Sequence, residues 1–454
     1  MTTARKHLEK AIAINPNFAE AYYKLGLLLK DEGGHADALD NFRKAVSLNG
    51  DFADAQCELA IALAADGERE AARTHFLNAL EIQPNYAHAY YQYALLLVDL
   101  KDIEEAKNNL EKVTEVDQNY ALAYYQKAKL LTNPDDFEDA RKNFETAIDI
   151  QPDFVDALYY MGKLQAGGIA TTKDGSIVDR TDLGFAKEYF LKVLKINASH
   201  SKALYNLARI LYDENDLQKA KSRLLKALEI DPKYSKAHFL LANVLNDLGN
   251  SNDAKVHYTA SIEHYQENPP AYYRLGKLLA EEGDAAAAED NLRKAVALDP
   301  DDAEAHYHLA LLLTELDDPA PARKHFFRAL EIKPEFALAY YHLAHHLERH
   351  GEVNEAKIHF QKATDVDQNF VEAYYNFARI LNSPSEFDQA VRNYETAIEI
   401  DPAHARAHYG YAKLVSGGTR LTADSTLLEE PDFVTAERHF RKAIEIDPSF
   451  AKAH

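Results

Sequence analysis

Ten tyrosines of this chain stand in one register: Tyr23, Tyr91, Tyr125, Tyr159, Tyr205, Tyr273, Tyr307, Tyr341, Tyr375 and Tyr409. Each follows by two residues the first alanine of a recurring Ala-Tyr-Tyr-x-Leu-Gly/Ala motif, and Cys57 and Phe239 fill the two remaining slots. A tyrosine joins an apolar ring to a hydrogen-bonding hydroxyl. Four residues beyond that register stand six cations, Lys129, Lys163, Arg209, Lys277, Arg379 and Lys413. Their natural partners are carboxylates, whether on a ligand or on neighbours such as Asp156 and Glu372. His342 and His345 share one helical face, and His308 precedes His342 by one motif. Imidazoles so placed can ligate zinc, copper or nickel, or charge together as the pH falls. His346 and His350 make a separate pair four residues apart, although 20 histidines produce such clusters by chance.

Nothing else in the sequence has catalytic spacing. Nucleophile elbows, phosphate loops and dinucleotide fingerprints are missing, and the stretch from His346 to His350 falls short of a zinc-protease motif. No enzyme and no cofactor are expected. With 73 acidic against 51 basic residues the formal charge is −22, which disfavours nucleic acid and anionic lipid as partners. The one cysteine, Cys57, allows no internal disulfide and suits a reducing compartment. No apolar run approaches the ~18 residues of a membrane span, and no signal-peptide pattern opens the chain. The expected setting is cytoplasmic.

These side chains are positioned by a repeat. The motif alanine falls at Ala21, Ala55, Ala89, Ala123 and Ala157, then at Ala203, Ala237, Ala271, Ala305, Ala339, Ala373 and Ala407. The step is 34 residues except for one of 46, and a period of about 34 residues marks a helix-turn-helix solenoid. From Phe18 to Asp51, Tyr22, Leu25, Leu28 and Leu29 recur at helical spacing, Gly33-Gly34 interrupts them, and Ala38, Leu39, Phe42, Ala45 and Val46 resume the pattern. Prolines such as Pro84, Pro152 and Pro300 close most units, because proline lacks the N–H that a continuing helix needs. Two positions stay small throughout, represented by Gly26 and Ala38, so that paired helices can approach closely.

Tyr22, Leu25, Gly26, Leu29, Ala38, Phe42 and Ala45 stand where the tetratricopeptide repeat pattern has its signature residues, and the whole chain resembles that family. The family's usual tryptophan is replaced, since the chain has none. The resemblance implies an all-α, right-handed superhelical solenoid of about twelve to thirteen repeats, whose first helices line a concave groove. The tyrosine register and its six cations would then face that groove as a ladder for an extended or helical peptide, or the tyrosines would pack one repeat on the next. His308, His342 and His345 would lie on adjacent groove-lining helices. The family's carboxylate clamp is not expected here, because Asn206, Lys236 and Arg274 do not complete it.

A longer period overlies the first. Position n matches n + 250: Ala123 with Ala373, Ala157 with Ala407, Asp117-Gln118-Asn119 with Asp367-Gln368-Asn369, and Asn133-Pro134 with Ser383-Pro384. About 21 of 45 residues agree between Val113–Ala157 and Ala363–Ala407, which indicates a duplicated block of seven repeats. Two insertions, about 168–183 and 418–433, fall in phase between the first and second helices of their repeats. Loops of such length fold back on their own helices or meet a partner.

The reading is of one array over 1–454, with a partial repeat at 1–17 and the start of another at 450–454. Uncapped ends of this kind suggest a segment of a longer protein or self-association end to end. The function expected is a non-catalytic scaffold that binds a protein or peptide. The alternatives are a structural subunit of a filament or large assembly, and the targeting region of a larger enzyme.

Overall fold

In the computed structural model the two periodicities resolve into helical hairpins. The structure describes residues 3–167, 169–171, 177–179, 181–417 and 431–453. Among the described residues there are 25 α-helices, in two compact units, Met1–Pro232 and Lys233–His454.

The first unit opens with a single helix, Thr3–Ile14, followed by six hairpins. Their first and second helices are Ala19–Asp31 with His35–Leu48, Ala53–Asp66 with Arg69–Ile82, Ala87–Asp99 with Ile103–Val116, Ala121–Leu130 with Phe137–Ile150, Val155–Gln165 with Leu183–Ile196, and Ser201–Asp213 with Leu217–Ile230. The second unit has six more: Ser235–Asp247 with Ser251–His264, Pro269–Glu281 with Ala285–Leu298, Ala303–Glu315 with Pro319–Ile332, Ala337–Arg349 with Val353–Val366, Val371–Ile380 with Phe387–Ile400, and Ala405–Ser416 with Phe433–Ile446.

One large side chain per second helix makes the core of each hairpin. Phe42, Phe76, Phe190, Phe326 and Phe360 are at most 1% exposed. Phe42 and Phe190 meet the small residue of their partner helix: a Cβ added to Gly26 would stand 2.6 Å from the Phe42 ring and one added to Gly162 2.9 Å from the Phe190 ring, which is why that site is held small. Ala60, Ala94, Ala310 and Ala344 fill the same position with no exposure at all. Most hairpin turns require a left-handed residue, supplied by Gly33, Gly67, Gly249, Gly283 and Gly351, with φ between 77° and 90°. Lys101, Asn215 and Asp317 hold that conformation without being glycine.

The 250-residue correspondence has structural counterparts. At Asn133-Pro134 and Ser383-Pro384 the first helix ends early, and 3₁₀ turns Pro134–Asp136 and Pro384–Glu386 replace the glycine break. Proline drives the preceding residue out of helix, so the shortening follows from one residue type. Both insertions separate the helices of their own repeat. The first contains the one departure from an all-helical chain among the described residues: Ile169–Thr171 and Ile177–Asp179 pair antiparallel, with Ala170 opposite Val178. β-Branched residues favour that extended pairing. Most of the second insertion, 418–430, lies outside the described residues.

Candidate functional site

The tyrosine register forms a seam between consecutive repeats. Eight of the ten rings meet the residue just before the next repeat's first helix: Tyr23 and Phe52 have centroids 4.9 Å apart, Tyr91 and Tyr120 5.2 Å, Tyr125 and Phe154 5.0 Å, and Tyr159 and His200 4.9 Å. In the second unit the same contact joins Tyr307 to Phe336 at 4.8 Å, Tyr341 to Phe370 at 4.9 Å, Tyr375 to His404 at 5.2 Å and Tyr409 to Phe450 at 5.1 Å. Tyr273 lies 5.6 Å from His308. None of the ten tyrosines is exposed. Burial pushes the Tyr23, Tyr273 and Tyr307 hydroxyls up to about 12 and raises those of Tyr91, Tyr125, Tyr159, Tyr205 and Tyr341. Two hydroxyls accept hydrogen bonds from the following first helix, Tyr159 from Asn206 Nδ2 at 3.3 Å and Tyr341 from Asn376 Nδ2 at 3.2 Å.

The six cations do not share one fate. Arg379 is paired with Glu348 at 2.7 Å and donates to Asn376 at 3.1 Å. For Lys129, Lys163, Arg209, Lys277 and Lys413 no carboxylate lies within ion-pair distance among the described residues, although many cations elsewhere bridge neighbouring repeats, as Arg43 does to Glu68 at 2.6 Å and Arg323 to Glu352 at 2.6 Å. The expected pairings with Asp156 and Glu372 do not form. Glu372 is taken by Arg406 at 2.7 Å and His404 at 3.2 Å, both from the next repeat, because side chains across the seam are closer than those along it. The Lys129 and Lys163 ammoniums instead flank one ring: Lys129 Nζ lies 5.5 Å and Lys163 Nζ 5.3 Å from the Tyr160 centroid, and Lys129 is also 5.1 Å from Tyr125. Two like charges therefore converge on one aromatic surface.

The three candidate metal-binding histidines are spread along the seam. His308 packs 5.0 Å from Tyr307, His342 lies 5.8 Å from Tyr307, and His345 is 4.6 Å from Tyr341. Burial first, then neighbouring positive charge, pushes His308 down to about 4, and burial next to His345 does the same to His342. Among the described residues no group of three or more histidine, cysteine or carboxylate side chains is placed to hold a metal ion. His342, His345 and His346 do line one cavity of about 690 Å³, with Thr314, Glu315 and Glu348.

Sequence reasoning missed a polar contact inside the hairpins. Gln56 Oε1 meets His75 Nδ1 at 2.7 Å, and the same slots hold His238 with His257 at 2.9 Å, His306 with His325 at 2.9 Å, and His408 with His439 at 2.8 Å. The signal was available as a 19-residue separation, or 31 residues across the second insertion.

Family models described as TPR repeat match residues 1–33 and 276–317, and others described as tetratricopeptide repeat match 23–87, 87–120, 121–154, 181–243, 211–278, 303–336, 337–370 and 371–404. No curated protein matches the chain. Among solved structures it is similar to YrrB, described as a TPR protein with an unusual peptide-binding site, at 25% identity and TM-score 0.39, over 42% of this chain and 98% of that one. It is also similar to MamA, at 26% identity and TM-score 0.34 over 36% of this chain and 95% of that one, and to the APC/C hetero-tetramer Cut9-Hcn1, at 15% and 0.43 over 99% and 91%. With repeat matches over 1–154 and 181–404, the chain belongs to the tetratricopeptide repeat family.

Proposed function

We propose that this protein-interaction scaffold uses the first-helix face of its first unit to bind an extended peptide segment rich in carboxylates. The observation that carries this reading is the pair of ammoniums on Tyr160. Lys129 and Lys163 lie without an ion-pair partner among the described residues, in a chain whose formal charge is −22. Arg209, two first helices beyond Lys129, continues the row. A folded protein with an excess of acidic side chains neutralises surface cations readily, so cations left over on a shared face have a partner of another molecule as their simplest complement. Tyr160 between them offers a ring edge and hydroxyl to the peptide backbone.

The test is calorimetric titration of the full chain with Glu/Asp-rich peptides against Gln/Asn-rich peptides of equal length. The acidic peptide is expected to bind and to lose about tenfold in affinity or more when Lys129→Ala and Lys163→Ala are combined, since hydrogen bonds to charged groups are worth ~1.5–3 kcal/mol. Equal binding of the two peptides, or indifference to the double substitution, rejects the reading. The tyrosine register takes part in this proposal as the seam that holds the first helices in place.

A further inference from the structure

The chemistry of two of the three histidine pairs follows from what their ring nitrogens touch. In the second unit, His408 Nε2 lies 3.1 Å from the Pro402 carbonyl, and a carbonyl only accepts, so Nε2 carries the proton. Nδ1 of His408 is then a lone pair, and it receives the Nδ1–H of His439 across 2.8 Å. His439 Nε2 is in turn an acceptor for the Arg438 guanidinium at 3.3 Å. The chain of bonds from Arg438 through both rings to Pro402 is complete with both imidazoles neutral.

His306 and His325 repeat the arrangement, with His306 Nε2 at 3.3 Å from the Pro300 carbonyl. Gln56, 250 residues before His306, shows the same logic in amide form: its Nε2 donates to the Gly50 carbonyl at 2.8 Å and its Oε1 accepts from His75. The ring centroids of the pairs are 5.0 to 5.2 Å apart, as for rings meeting nitrogen to nitrogen.

We propose that the pairs His306–His325 and His408–His439 are acid-sensitive latches, whose Nδ1–H···Nδ1 bond between the two helices of a hairpin is lost as the rings take up protons. A proton added to His408 or His306 at Nδ1 sets two N–H groups against each other. One added to His439 at Nε2 leaves its Nδ1–H on His408 but breaks the bond to Arg438 and sets two cations side by side, so the bond between the helices is lost with the second proton. Around His306 and His325 stand Arg328, Arg293 and Lys324, opposed by Asp299 and Asp302. Around His408 stand Lys442 and His404, opposed by Asp401, while Arg438 and the Tyr411 ring face His439. Burial, then the partner histidine, pushes His325 and His439 down to about 4, whereas an unfolded histidine titrates near ~6.5. Stability from such groups is complete above about pH 6.5 and is lost as the pH falls toward their folded values. No slot of the first unit holds two histidines, so the latch is confined to the second unit. The inference stands independently of the peptide reading.

Hydrogen-exchange mass spectrometry of the full chain at a series of pH values from about 7.5 to 5, corrected for intrinsic exchange, tests it by following the hairpins 303–332 and 405–446. Each histidine that takes up a proton on opening costs roughly tenfold in protection per pH unit below about 6.5, so hairpin 405–446 is expected to show a two-proton slope and hairpin 303–332, which also buries His308, a three-proton slope. The variant His306→Gln, His408→Gln copies the Gln56–His75 contact and should reduce each slope by one proton while leaving neutral-pH protection intact. The converse variant Gln56→His builds a fourth pair and should confer the two-proton slope on hairpin 53–82. Hairpin 337–366, which both variants leave untouched, is the internal reference. Unchanged slopes in both variants, or full protection of the wild-type hairpins down to pH 5, overturn the proposal.

Discussion

If the tyrosine register is a packing seam, removing one ring should unlock a repeat junction whether or not a ligand is present. Tyr341 is the sharpest case, because its ring lies within 4.9 Å of Phe370, 4.6 Å of His345 and 5.9 Å of Phe360, which link both helices of its repeat to the start of the next. The ring is half-buried, so Tyr341→Ala should cost ~2–3 kcal/mol, the low end for truncating a core side chain. At about 2–4 °C per kcal/mol for a unit of this size, the second unit's melting temperature should drop by roughly 4–12 °C. Tyr341→Phe keeps the ring and deletes one acceptor. Asn376 Nδ2 retains its 2.8 Å bond to the Glu372 carbonyl, so the expected cost is only ~0.5–1.5 kcal/mol. Scanning calorimetry of the full chain measures both variants, and titration with the acidic peptide separates stability from affinity. A Tyr341→Ala protein that melts with the wild type but no longer binds peptide would refute the packing argument and make the register a ligand ladder.

Three further outcomes follow from particular contacts. Burial raises the Glu386 carboxyl, but the Lys357 ammonium, at 2.7 and 2.9 Å, and the Ser383 donors outweigh it and hold the group down at about 2. A depressed carboxylate stabilises the fold above its unfolded value near 4.5 and loses that contribution as the pH falls toward 2. Lys357→Met should accordingly cost ~1–3 kcal/mol at neutral pH, read by urea denaturation, and flatten the acid limb below pH 4.5. Gly26→Leu forces a side chain into the Phe42 ring, 2.6 Å from the position of the first added carbon, and should destabilise the first unit by ~1–3 kcal/mol or more in thermal circular dichroism. Affinity for the acidic peptide should fall between about 50 and 500 mM salt, because exposed charges are screened beyond a Debye length; a salt-independent affinity would place the binding energy in apolar contacts instead.

Much of the fold was legible because it is periodic. The positions of Tyr22, Leu25, Gly26, Ala38 and Phe42 recur often enough that helix, turn and close approach are each argued many times over. The early helix end before Pro134 and Pro384 was equally readable, since proline acts only on the turn before it, displacing its neighbour and denying an N–H to the carbonyl four residues back, at Leu130 and Ile380. The candidate surface was less so. That Lys129 and Lys163 share the Tyr160 ring while Arg379 finds Glu348 depends on rotamers and on distances across the seam, and Glu372 is claimed by Arg406 from another repeat. The strand pair at Ile169 and Ile177 sits in a loop too short and irregular for a two-residue alternation to stand out.

Local chemistry along the chain therefore settles what recurs: apolar spacing, small residues and turn formers act within one helix or one turn, and they write the hairpin and its period directly into the sequence. The partner of each polar side chain is a different kind of fact. His306 and His325 are 19 residues apart in sequence yet 2.9 Å apart in space, and only the packing of two helices brings their nitrogens face to face and assigns each its proton. Pair formation depends on the distance between helices, and that distance is set by the core between them.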